Sequence, residues 1–75
     1  PQHREALVTA VRQILRREST TEGIPVQGML DGDILRAMLR QSGLRDREID
    51  QHLPALMRRA QWIYARNCPP DLRHA

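Results

Sequence analysis

The chain contains no lysine, no phenylalanine and only one cysteine. With Cys68 alone, neither an internal disulfide nor a cysteine-built metal cage can form, which agrees with a reducing, cytoplasmic setting. The only aromatic residues besides the histidines are Trp62 and Tyr64, so a core must be assembled from Leu, Ile, Val, Met and Ala, a composition that suits helices better than strands. No apolar run approaches the roughly 20 residues of a membrane span, and no signal-peptide pattern is present, so a membrane is not an expected partner. Without lysine, all 12 basic residues are arginine, and the net charge is only +3. Nine acids are interspersed among the arginines, whose only doublets are Arg16–Arg17 and Arg58–Arg59. A nucleic-acid footprint gathers its basic residues on one face. This dispersed pattern reads as a solvated surface, and nucleic acid is not an expected partner.

What is present is enough for one small domain over residues 1–75, marginal in core size. The chain opens at Pro1 without a methionine and enters a helical pattern almost at once, as expected of a piece of a longer protein. A first helix is predicted from about His3 to Glu18, with Leu7, Ala10, Val11, Ile14 and Leu15 on one face and Arg4, Arg12, Arg16 and Arg17 turned away. Ser19 to Gln27 breaks the pattern: Gly23 and Pro25 punctuate turns, Pro25 forces Ile24 into an extended form, and Ile24 and Val26 tuck against the bundle.

Gly28–Leu39, GMLDGDILRAML, then runs from a glycine-bearing loop straight into a second helix, Asp31 to about Gln41. Asp31 is read as its N-cap, Asp33 as a first-turn acid, and Leu30 and Leu35 as a hydrophobic staple, with Ile34, Leu35, Met38 and Leu39 forming the apolar face. Ser42–Gly43 stops this helix, and Leu44 closes the contact after the stop. A third helix opens at Asp46, again read as an N-cap. Ile49, Leu53, Leu56, Met57, Ala60, Ile63 and Tyr64 give it the strongest periodicity in the chain. Pro54 should kink it or split it in two, and Cys68–Pro69–Pro70 ends it, leaving Arg73–His74–Ala75 as a tail. The expected architecture is all-α: a small antiparallel bundle of three to four helices.

Candidate chemistry is thin. Asp31–Gly32–Asp33 is a D-x-D, but no apolar strand leads into it and no further ligands follow at calcium-loop spacing, so it reads as an acidic helix start. His3, His52 and His74 lack partners at metal-ligand spacing, and Cys68 has no base nearby in sequence. Ser19–Thr20–Thr21 lacks a glycine-rich phosphate loop around it. Met57, Trp62 and Tyr64 read as core at helical spacing, with Trp62, outside the main stripe, the one expected at an interface. Met38, Leu39, Gly43, Leu44 and Ile49 have loose helix-turn-helix spacing, which leaves an Arg-rich DNA- or partner-binding module as the alternative. Against it, the recognition helix in that reading opens with Asp46, Glu48 and Asp50, like-charged to phosphate.

The order of pieces carries a resemblance. His3-Arg4-Glu5-Ala6-Leu7, the break to Gly28-Met29-Leu30-Asp31, Ile34-Leu35, the Gly43-Leu44 turn, Glu48-Ile49 and Leu53-Pro54-Ala55-Leu56 together resemble the helical cap of haloacid dehalogenase-like (HAD) hydrolases, in the phosphoglycolate phosphatase and beta-phosphoglucomutase branch. The similarity covers about residues 3–66 and rests on helix order and the Gly28/Asp31 loop. It implies a cap inserted into a Rossmann-like core of the same protein, a small phosphorylated substrate, and Mg2+ held by that core. The nucleophile motif, a Ser/Thr, a Lys or Arg and the metal-binding acids are implied to lie in the core, leaving this chain silent alone. By the same resemblance, Gly28, Met29, Leu30 and Asp31 form the substrate-specificity loop. Gly28 is implied to give a close backbone approach, Asp31 to cap the helix, and Met29 and Leu30 to tune substrate choice. No arginine lies in Gln27–Asp33, and Arg36, the first one after the loop, is a possible substrate contact.

Overall fold

A computed structural model describes residues 2–67. They form three helices: α1 (Gln2–Leu15), α2 (Asp31–Gln41) and α3 (Asp46–Asn67). Cys68, His74 and the Cys68–Pro70 stop lie outside the described residues. The long helix α3 packs against both others, which touch each other much less. Two sets of contacts give the directions. His3, at the start of α1, meets Asp31 at the start of α2 and Tyr64 near the end of α3. Arg40, late in α2, meets Asp46 at the start of α3. Hence α3 runs antiparallel to both α1 and α2.

The core is entirely aliphatic and sulfur-bearing, as the shortage of aromatics requires. Leu7, Val11, Leu35, Leu39, Ile49 and Leu56 have no exposed surface, and Met38 has almost none. Ala6, Ala10 and Ala60 are small enough to let the helices approach closely. Ile24, Val26 and Leu44 pack on this core from the connections, where the sequence places them, and Met29, read from the resemblance as a substrate-tuning residue, packs on it as well.

Three boundaries differ from the sequence reading. Helix α1 ends at Leu15, not Glu18, because Arg16 takes a left-handed backbone, φ 54°, and turns the chain out of the helix. Asp31 and Asp46 are not N-caps: each is the first helical residue, one place later. Leu30 occupies the cap position of α2 with no side-chain cap bond, and it is 75% exposed, so no staple forms with the buried Leu35. At α3 half of a capping box is made, with Glu48 Oε1 accepting the backbone N–H of Arg45 at 3.1 Å.

Pro54 does not split α3, which is one helix across it. Both Pro54 and Asp50, the residue whose carbonyl loses its helical donor, lie on the exposed face, where water can satisfy that carbonyl. The C-terminus of α2 is a Schellman motif: the Gly43 N–H donates to Arg40 O and the Leu44 N–H to Leu39 O, each at 3.0 Å, with Gly43 at φ 96°. The segment between α1 and α2 is tied to this same end of α2. Arg17 donates to Ser42 O at 2.5 Å, Ser42 Oγ to Glu18 O, and Gln41 Nε2 to Glu22 O.

Candidate functional site

The antiparallel arrangement gathers three things at one end of the bundle: the start of α1, the loop leading into α2, and the last turns of α3. The loop is built locally. Met29 N–H donates to Val26 O at 3.1 Å across a turn whose third residue, Gly28, has φ 77°. A type II turn needs a positive φ there, which glycine supplies without strain. A Cβ placed on Gly28 would meet nothing within 4 Å, so within this chain its role is conformational. The turn then sends Met29 inward, half-buried against the core, and Leu30 outward. Met29, Leu30, Asp31, Gly32 and Asp33 line an open depression together with Met57 of α3.

Asp31 does not serve the α2 backbone. His3 Nε2 donates to its Oδ1 at 2.6 Å, across 28 positions of sequence. The His3 ring stands edge-on to Tyr64, with centroids 5.4 Å apart and planes at 85°, a favourable aromatic geometry. His3, Asp31, Ala6, Ala60, Gln61 and Tyr64 enclose a cavity of about 90 Å³ beneath this contact. His3 and Tyr64 are the residues the sequence reading missed as neighbours of the loop. The juxtaposition is wholly tertiary, and no local motif announces it. Tyr64, expected in the core, is 38% exposed at the edge of the α1–α3 contact.

Arg36 is not turned toward the loop as a free cation. Its Nη2 donates to Asp50 Oδ1 at 2.5 Å, binding α2 to α3, and that carboxylate holds the guanidinium above its ordinary pKa. Arg40 Nε donates to Asp46 Oδ1 at 2.9 Å, which holds the Asp46 carboxyl below the usual aspartate value. Two of the acids at the start of α3 thus have arginine partners within the bundle. Met38, Leu39 and Ile49, three of the residues with helix-turn-helix spacing, are core residues.

The fit of this chain to a magnesium ion can be tested on its own residues. Among the described residues no group of three or more His, Cys, Asp and Glu could hold a metal. Asp31 is engaged by His3, and Asp33, two positions on, points off a different side of the helix and is exposed. The D-x-D does not fit the ion.

No family model matches the chain, and neither a curated protein nor a solved structure does.

Proposed function

We propose that this chain is the cap domain of a HAD-like hydrolase, a phosphatase acting on a small phosphorylated substrate, with Gly28, Met29, Leu30 and Asp31 facing the reaction centre. The observation that carries this reading is the His3–Asp31–Tyr64 junction. A lid inserted into another domain must leave and re-enter that domain on the side where its working loop points. Here the loop, the first turn of α1 and the last turns of α3 lie together. An exposed Leu30 beside a half-buried Met29 supplies the second element: an apolar tip that none of the described residues covers, on a fixed base.

In this reading the cap closes over the substrate and excludes water, which strengthens every charge interaction in the closed site. Mg2+ and the nucleophile would belong to the core domain, and this chain would contribute shape and specificity. Its apolar tip and lack of a free arginine in the loop suit a substrate whose non-phosphate end carries no second anionic group.

The test is a substrate panel on the enzyme carrying this cap. Leu30→Arg, at an exposed position, should change the ratios of kcat/KM among phosphate esters while leaving the melting temperature nearly unchanged. Unchanged ratios would overturn the loop assignment. Flanking coding sequence without an upstream D-x-D-G-T would overturn the cap reading itself.

A further inference from the structure

The outer face of the last turns of α3 is unlike the rest of the surface. From Gln51 to Asn67 the sequence has no acid but contains Arg58, Arg59 and Arg66. At roughly 100° per residue these three share with Trp62 an arc of α3 that starts on the flank of its buried stripe, Ile49, Leu56, Ala60 and Ile63, with Arg59 and Arg66, and reaches the opposite side with Trp62 and Arg58. Trp62 is 51% exposed, and the guanidiniums of Arg59 and Arg66 lie over its ring at 5.1 and 4.7 Å from the centroid. Arg58, Arg59 and Trp62 line an open depression. Arg12, Arg36 and Arg40 each have a carboxylate partner, whereas among the described residues Arg58, Arg59 and Arg66, like Arg4, Arg16, Arg17, Arg45 and Arg47, have none within 4 Å; only the α3 group is gathered around an exposed aromatic ring in an acid-free run.

We infer that Arg58, Arg59, Trp62 and Arg66 form a docking surface for a short acidic segment of another protein. Stacking on Trp62 holds the two flanking guanidinium forks in place before binding, so less freedom is lost when they grip carboxylates. Tryptophan and arginine are also the side chains that dominate protein interfaces energetically. From Arg59 to Arg66 the patch spans about 10 Å of helix, matched to a few acidic residues laid along it.

Other occupants fit less well. Among the described residues a second copy of this chain leaves Glu5, Glu22 and Asp33 as the acids without a partner, scattered over separate elements, because Glu18, Asp31, Asp46 and Asp50 have side-chain partners and Glu48 holds a backbone N–H. Single-stranded nucleic acid needs an open ring for a base to stack on, and the arginines of this chain lie over that ring. A membrane surface needs a broad apolar face, and among the described residues Trp62 is the large exposed hydrophobe on this side. The inference stands apart from the cap reading, because the patch lies on the flank of α3 away from Tyr64 and the loop.

Trp62 is the single tryptophan of the chain, so its emission reports binding directly. Titration with an oligo-glutamate peptide at low salt should give a saturable change that weakens as salt is added. Arg59→Glu and Arg66→Glu should each lower the affinity roughly tenfold or more. Arg47→Glu makes the same change of net charge about 16 Å away along α3, at the helix start where an acid is tolerated, and should have a much smaller effect. Absence of a saturable change would overturn the proposal, as would equal losses in all three variants. Tighter binding of oligothymidylate or of phosphatidylserine vesicles than of the peptide would also overturn it and assign the patch to that partner.

Discussion

At the scale of single residues, two leucines of this chain should behave oppositely although they are chemically identical. Leu56 has no exposed surface and sits between the helices, so Leu56→Ala loses its transfer free energy and leaves a cavity, at a cost of about 2–5 kcal/mol. Leu30 is 75% exposed, and Leu30→Ala should change stability by no more than about 0.5 kcal/mol. Denaturant midpoints of the two variants would check both, and comparable losses would refute the burial assignment. The two acids at helix starts show where residue-level reading stops. A carboxylate is favoured at the cap position, where it accepts a backbone N–H, and in the first turn, where the helix dipole attracts it. Both signals read alike in sequence. In the structure Asp31 and Asp46 sit one place inside the cap, in the first turn, where His3 and Arg40 reach their carboxylates from other elements.

At the scale of the element, the legible helix ends are those with a glycine. Gly43 stops α2 where the sequence places the stop, because a Schellman motif needs a positive φ that glycine adopts freely. The end of α1 uses the same left-handed geometry on Arg16, which carries no such signal, so periodicity alone ran the helix three residues too far. Arg16→Gly should therefore raise stability by about 1 kcal/mol through relief of the left-handed conformation. Gly32 is the converse case. It lies inside α2 without a positive φ, and an added Cβ would meet Met57 Sδ at 3.5 Å and Leu53 Cδ2 at 3.9 Å, ordinary contact distances. Gly32→Ala should stabilise by about 0.5–1 kcal/mol. A fall in melting temperature for either variant would contradict the local geometry described here.

At the scale of the whole molecule, α2 and α3 are laced together by Arg36–Asp50 and Arg40–Asp46. The Asp46 carboxyl is held below its ordinary value chiefly by the hydrogen bond from Arg40. A group depressed in the folded state contributes stability above its unfolded pKa and loses that contribution as the pH falls through its folded pKa. Melting temperature followed downward through the aspartate range should therefore fall less steeply for Asp46→Asn than for the parent chain. The difference should be small, since both partners are exposed and water screens them. Superimposable profiles would show that the pair adds nothing to folding.

The all-helical class, the second helix, the Gly43 turn and most of the core followed from spacing alone. Apolar residues every three or four positions can be buried together only by a helix, and the few glycines and prolines mark where helices must yield. Pro54 is the exception, because its penalty depends on whether the freed carbonyl faces water, and that is a property of the packed bundle. Which helix ends meet was likewise beyond any local signal. The approach of His3 to Asp31 and Tyr64, and the seclusion of Arg36 behind Asp50, exist only because α3 runs back between two helices that start at the same end. Contacts between residues far apart in the chain are selected by the collective burial of three apolar stripes, and no single segment encodes them.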